Sequence, residues 1–590
     1  MKKEARNEMT GYPSIDRPWL KYYSDEAINV EIPHMTAYDY ICLCNKNRLN
    51  ETAINYFGRL ITYEELFHKI NKCASQFAQL GVGKGDIVSI CMPTTVETIV
   101  AFYALNSIGA ISDMLDPRSN KDQLKFYLKE NESEILVLFD ACYFKIKEII
   151  SETNIQKVIL VSAADSMPTV TKIGYYIKNR KKQKKSLHDD LFITWKKFCE
   201  LEENNKGKVV EYEKNKSALL VHSSGTVGTP KGILLSNDNL NALAFQYKLT
   251  SLELNRRERF LTAIPAFAAF GMVASVHLPL SLGLYTIVQP RVTAENMVKL
   301  CLKYKPNHCN TVPHNYEVLT SSKTVKDLSF FHNLGCGGDM INENLEKKIE
   351  DELIRKKSKG KLYKGWGMSE LASTATLEMP TCRKIGSVGI PLVKNIISIF
   401  EPGTDKELTY DEQGEICVTG PSVMLGYFKN KELTDKVLQR HKDGKVWLHS
   451  GDIGHMSKQG VLTIDSRMER MIIRFDGFKI FPPSIENVIT QHPDIEECAV
   501  IGIEDNANGK VPKAFLVMKH ECKRDTGIIE GEIRELCTTK LAERAVPYYF
   551  EFIDELPMTM MGKVDYRKLE KEYCNGVQRE HNKKLNNGLP

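Results

Sequence analysis

The feature that most restricts what this chain can fold into is a series of short, largely apolar runs alternating with helical patterns between about residues 62 and 161. Ile87-Val-Ser-Ile-Cys-Met92, Ile135-Leu-Val-Leu-Phe139 and Val158-Ile-Leu-Val161 have strand length and no polar alternation. A strand patterned like this must be covered on both faces. Pro93 stops the first run, and Val96 to Ile108 then places apolar residues at helical spacing before Gly109. Thr62, with Glu65 three residues later, is a helix N-cap signature. Helices alternating with buried strands predict an α/β fold around a parallel sheet. After Gly454 the strands and helices shorten, with Val500-Ile-Gly-Ile503 and Ala514-Phe-Leu-Val517 as strands. A length of 590 residues also exceeds what one compact core holds.

Composition removes several function classes. Hydrophobic residues make up 42% and charged ones 26%, as in an ordinary globular protein. A net charge of +5 gives no chain-wide basic field, so no nucleic-acid partner is expected. None of the fifteen cysteines forms a C-x-x-C pair, the nearest spacing being Cys42-Leu-Cys44, which predicts buried reduced thiols rather than a zinc or redox site. The opening MKKEARNE lacks a signal-peptide core, and no apolar stretch reaches transmembrane length. The expected location is cytoplasmic. One segment departs from the rest: Lys172 to Lys185 holds seven basic residues and no acidic one. It reads either as a solvated basic surface or as a patch that rests on an anionic membrane.

The most informative stretch is Ala218-Leu-Leu-Val-His-Ser-Ser-Gly-Thr-Val-Gly-Thr-Pro-Lys-Gly232. An apolar strand runs into Ser223, Ser224, Gly225, Thr226, Gly228, Thr229 and Lys231. Glycines let successive N–H groups converge on one anion, hydroxyls add donors, and Lys231 adds a point charge. A polyphosphate suits such a loop best. It is not the common P-loop, because Pro230 and Gly232 stand where that pattern needs Gly and Ser or Thr.

This loop resembles the signature loop of the AMP-forming adenylating superfamily, with Val227 in place of a more usual Thr. Other segments agree in order and spacing. Gly365-Trp-Gly-Met-Ser-Glu370 is similar to G-Y-G-M-T-E, and Cys336-Gly-Gly-Asp339 to the glycine-rich strand end beside adenine. Val446-Trp-Leu-His-Ser-Gly-Asp452 resembles W-x-x-T-G-D, and Gly414 to Gly420 with Gly426-Tyr427 matches the intervening segment. Leu556-Pro-Met-Thr-Met-Met-Gly-Lys563 resembles P-x-T-x-x-G-K. The likeness runs from about Tyr63 to Leu569.

The resemblance implies a large N-terminal α/β domain, residues 1–466, and a small mobile C-terminal α+β domain, residues 467–590. It places ATP between them: phosphates on the 223–232 loop, and adenine and ribose against Gly337, Gly338, Asp339, Trp366, Gly367, Ser369, Asp452 and Arg467. Glu370 becomes the ligand of Mg²⁺. The catalytic set becomes Lys563, Glu370 and Lys231, with Lys563 bridging carboxylate and α-phosphate. Asp465-Ser-Arg-Met-Glu-Arg470 makes Glu469 the hinge, although relatives often carry Lys-Asp or Lys-Glu where this chain has Glu-Arg. Gly477 and Phe478, within a segment similar to that of acyl-CoA synthetases, fall at the thiol tunnel.

In the acid-binding segment Ile264-Pro-Ala-Phe-Ala-Ala-Phe-Gly271 there is no acidic residue to pair an α-ammonium, which argues against an amino-acid substrate. Phe267, Phe270 and Gly271 line the expected acyl pocket, and Ala268 replaces a histidine common in relatives. Arg17-Pro-Trp-Leu-Lys-Tyr-Tyr23 resembles the opening of long-chain fatty-acid:CoA ligases. The expected reaction joins a carboxylic acid, most simply a fatty acid, to CoA with ATP cleaved to AMP and pyrophosphate. The alternative acceptor is the phosphopantetheine of a carrier protein.

Overall fold

A computed structural model describes residues 9–179, 190–201, 210–223, 231–505, 509–559 and 564–572. The predicted apolar runs are strands of one eight-stranded sheet. Its order is Gly426–Tyr427, Lys231–Ser236, Ser217–Ser223, Ile111–Leu115, Ile87–Cys91, Ile135–Phe139, Lys157–Val161, Phe192–Thr194. From Ser217–Ser223 to Phe192–Thr194 every pairing is parallel. The helix Val96–Ser107 is buried at all twelve positions, its polar Glu97, Thr98, Asn106 and Ser107 included. Thr62 caps the helix Tyr63–Gln79 by accepting the Glu65 N–H.

A second, nine-stranded sheet carries the parallel series Tyr285–Val288, Arg259–Thr262, His308–Thr311, Asn333–Cys336 and Lys361–Trp366. An antiparallel third sheet joins Ile396–Phe400, Gly414–Thr419, Leu438–Arg440, Val446–Met456 and Leu462–Arg467. The C-terminal unit packs the helices Pro482–Ile489 and Thr526–Lys540 with the strands Ile495–Asp505, Gly509–Met518 and Tyr549–Phe552 around its own core. The architecture is thus a large α/β body with a small α+β unit.

Trp19 is fully buried, and a Cβ on Gly460 would lie 2.6 Å from its backbone nitrogen. Tyr23 donates its hydroxyl to the Pro391 carbonyl at 2.9 Å. The N-terminal aromatic motif therefore anchors the start of the chain to the distant hairpin around Gly460. All described cysteines are free thiols. Among the described residues, no helix is long and apolar enough to cross a membrane. The basic segment begins as the helix Thr169–Asn179, and Arg180 to Lys185 lie outside the described residues.

Candidate active site

Strand register brings the nucleoside-binding candidates together. Asp452 and Arg467 are direct cross-strand partners, and Arg467 Nε lies 2.7 Å from Asp452 Oδ1. Trp366, at the end of its strand, donates its indole N–H to Asp452 Oδ2 at 2.7 Å. Asp452 is only 3% exposed, and the Trp366 hydrogen bond and the Arg467 ion pair both favour its charged form. The glycines at the strand ends pack closely against other backbone. A Cβ on Gly337 would sit 3.0 Å from the Gly365 carbonyl oxygen, and one on Gly367 would overlap the Ser373 carbonyl at 1.8 Å. Gly338 has φ +82° and faces Phe270. Asp339 follows at the exposed rim, and Ser369 opens the short 3-10 turn that carries Glu370 inward.

At the phosphate end, Ser223 pairs across the ladder with Lys231, so the described strands hold both ends of the signature loop together. Ser224, Gly225, Thr226, Gly228 and Thr229 lie outside the described residues. Lys231 Nζ stands 5.4 Å from the centre of the Tyr427 ring. The Tyr427 hydroxyl donates to Glu370 Oε1 at 2.8 Å. Burial and the neighbouring carboxylate push that phenol well above its ordinary range, so it remains a donor. Tyr427 thus lies between the candidate phosphate lysine and the candidate metal carboxylate, a position its motif match alone does not reveal.

A second contact is absent from the sequence reading. His222, one residue before Ser223, binds Asp113 Oδ1 through Nε2 at 2.6 Å. Asp113 Oδ2 accepts from Ser89 Oγ at 2.9 Å and also from Asn131 Nδ2. The only sequence signal was a histidine inside an otherwise apolar strand. Its parallel neighbour supplies the acid from about 110 residues earlier, which only the sheet order reveals.

The candidate acid-binding segment meets the glycine-rich strand end where Phe270 faces Gly338. Phe267 is 8% exposed and the Arg118 guanidinium stands 5.1 Å from its ring centre. Ala268 and Phe270 are half-buried. Gly271 packs so closely that a Cβ would fall 1.8 Å from the Pro265 carbonyl oxygen. A narrow apolar cavity opens between Leu252, Leu254, Phe260 and Leu278, with Asn310 and Gly335 on its wall.

In the C-terminal unit, Gly477 has φ +77° in the exposed turn between Ile472–Ile473 and Lys479–Ile480. The Arg544 guanidinium stands 5.7 Å from the Phe478 ring centre. Glu469 is exposed within the turn Met468–Arg470. The charge exchange at this point has a structural counterpart. Arg470 Nη2 lies 2.6 Å from Glu486, and its guanidinium stacks 3.7 Å from the Tyr566 ring centre. Lys563 lies outside the described residues; Met558 and Val564, on either side, form an antiparallel bridge.

The arrangement can hold a nucleoside by its ribose, present cations and a carboxylate to its phosphates, and seat an apolar acid alongside. Known proteins agree. The AMP-binding enzyme family matches residues 44–428, and the AMP-binding enzyme C-terminal domain matches residues 484–563. The chain is 27% identical to a long-chain-fatty-acid–CoA ligase of Bacillus subtilis, covering 94% of this chain and 98% of that one. It is 28% identical to a probable 4-coumarate–CoA ligase of Dictyostelium discoideum, covering 85% and 88%. Its fold matches an anthranilate CoA ligase solved with anthranoyl-AMP, with TM-score 0.79, 20% identity and coverage of 94% and 99%. The chain belongs to the AMP-binding enzyme family in both its large and its C-terminal unit, and is an enzyme of the AMP-forming acyl-CoA synthetase class.

Proposed function

We propose that the enzyme activates a fatty acid as its acyl-adenylate and transfers the acyl group to CoA. The observation that carries this reading is a pair of contact chains, Arg467–Asp452–Trp366 and Lys231–Tyr427–Glu370, with Phe270 against Gly338 at the glycine-rich strand end.

A carboxylate is a poor electrophile because its leaving group would be oxide. Attack of its oxygen on the α-phosphorus expels pyrophosphate and gives a mixed anhydride whose leaving group is AMP. Two anions meet in that step, so charge neutralisation is the main contribution the protein can make. Lys231 and the hydroxyls and N–H groups of residues 223–229 hold the β- and γ-phosphates. Lys563 bridges the acid and the α-phosphate. Glu370 offers a hard, buried carboxylate oxygen next to the phosphate lysine, a donor that fits Mg²⁺, which takes one or two carboxylates plus substrate phosphates. When bound, Mg²⁺ would offset phosphate charge. The thiolate of CoA then attacks the acyl carbon and releases AMP, with Gly477 and Phe478 beside the pantetheine arm and Glu469 as the pivot between the two steps.

The fatty-acid assignment is supported by the absence of an acidic partner in residues 264–271 and by the apolar side chains of Phe267 and Phe270. Carboxylate-dependent exchange of labelled pyrophosphate into ATP, run across fatty, aryl, bile and amino acids, tests it. Fatty acids should give the highest rates, and an aryl or amino acid that outpaces them refutes the assignment. Release of AMP with CoA, compared with a holo-carrier protein, tests the acceptor.

A further inference from the structure

We infer that Asn310 limits the length of the acid this enzyme accepts, a role that rests on the proposed seating of an apolar acid along residues 264–271. Its side chain bars the way between that segment and the apolar cavity behind it.

The bar arises from a local irregularity of the backbone. In an α-helix the Leu278 N–H would bond to the Ala274 carbonyl, but in the π turn Val273–His277 it goes back to Val273 instead. The next residue, Pro279, has no N–H to offer. The Ala274 carbonyl is therefore left for a side chain, and Asn310 Nδ2 donates to it at 3.0 Å. A carbonyl needs a donor, so this bond fixes which way the amide points. Oδ1 is turned over Gly335, the register partner of Asn310, where a Cβ would lie only 2.1 Å from it. The amide thus reaches from the strand His308–Thr311, over the neighbouring strand, to the helical run 269–282.

Its place along the strand makes it a stop. Positions 308, 310 and 312 share one face of an extended chain, about 7 Å apart. At the site end, Val312 and Phe270 both stand against Gly338. One step inward, Asn310 crosses to Ala274. One step further, His308 and Leu278 line the cavity, with Asn310 and Gly335 also on its wall. The helical run passes the same levels in the same order, Phe270, Ala274, Leu278. The acid-binding end and the cavity are therefore two parts of one cleft between sheet and helix, divided by a single amide. A tail that passed this point would have to break the bond to Ala274 or press methylenes against the amide oxygen, and a shorter tail does neither. His308, held by Glu258 through Nε2 at 2.8 Å, stands at the next level, so loss of the Asn310 side chain lengthens the cleft by one step, about 7 Å.

The test is pyrophosphate exchange on two series of acids, straight-chain from butanoate to hexadecanoate and ω-phenylalkanoates of increasing length. For the wild-type enzyme kcat/KM should rise about fourfold with each added methylene, pass an optimum well short of hexadecanoate and fall. Asn310→Ala should move the optimum to longer acids, raising kcat/KM on the first acid beyond the wild-type optimum, relative to the acid at that optimum, about fourfold or more. Leu278→Trp added to Asn310→Ala refills the cavity and should return the optimum to its wild-type length, which a merely structural role of Asn310 would not produce. Thermal midpoint and ATP affinity report whether the variants fold, and Asn310→Ser serves in place of Asn310→Ala if the latter does not. An optimum at hexadecanoate in the wild-type enzyme, or an optimum that stays in place when Asn310 is replaced, overturns the proposal. If phenyl acids alone are activated, the fatty-acid reading fails, and the shift within the phenyl series still decides the role of Asn310.

Discussion

Asp452→Asn isolates the contact on which the nucleoside reading depends. Asparagine keeps an oxygen to accept the Trp366 indole N–H, so no buried donor is stranded and the fold should persist. What disappears is the negative charge. The ion pair with Arg467 is lost, but that side chain is 47% exposed, so the loss is within the 0–1 kcal/mol of a surface pair. Ribose hydroxyls that donated to a carboxylate now meet a neutral amide oxygen. Hydrogen bonds to charged groups are worth about 1.5–3 kcal/mol against about 0.5–1.5 for neutral ones. Two hydroxyls therefore cost about 2–3 kcal/mol, or roughly 30–150-fold in affinity. Calorimetric titration with ATP should show that loss. The same titration with 2′,3′-dideoxyATP, which lacks both hydroxyls, should show almost none. An equal loss for the two nucleotides refutes the ribose assignment.

Lys563→Ala should cripple pyrophosphate exchange yet largely spare thiolation of supplied acyl-adenylate; equal loss in both half-reactions contradicts the role given to this lysine. Tyr427→Phe leaves Glu370 without its 2.8 Å donor, and adenylation should fall about tenfold or more at saturating ATP while the thermal midpoint changes little. An unchanged exchange rate would disconnect Tyr427 from the site. Glu97, buried in the first turn of the Val96–Ser107 helix beside Ser166 Oγ, is pushed up to about 7, chiefly by burial. Because its folded-state pKa exceeds its unfolded value, the stability it allows is complete below about pH 4.5 and is lost as pH rises through about 7. Glu97→Gln should remove that loss, raising unfolding stability at pH 8 by about 3 kcal/mol while leaving it nearly unchanged at pH 4.5. Equal urea midpoints for the two proteins at pH 8 would show that the carboxylate carries no such cost.

The strands of the eight-stranded sheet were legible because a strand buried on both faces has no polar alternation, and Ile87–Cys91, Ile135–Phe139 and Lys157–Val161 emerged within a residue or so of their apolar runs. The site was legible as motifs, each a local consequence of backbone geometry. Glycines such as Gly337 and Gly367 mark strand ends that must approach other backbone, and that requirement is written at single positions. What stayed hidden were contacts set by sheet order. The His222–Asp113 pair and the Tyr427–Glu370 bond join residues far apart in sequence, with no spacing rule linking them. The reason Arg470 departs from its relatives also required the fold, because Glu486 and Tyr566 come from separate elements of the C-terminal unit.

The seat of Trp19 against Gly460 sets a timetable for synthesis. The indole cannot reach its place until roughly 440 further residues have left the ribosome, which at about 5–20 residues per second takes about 20–90 s. During that interval one of the largest buried side chains of the molecule lacks its final seat and offers apolar surface to other chains.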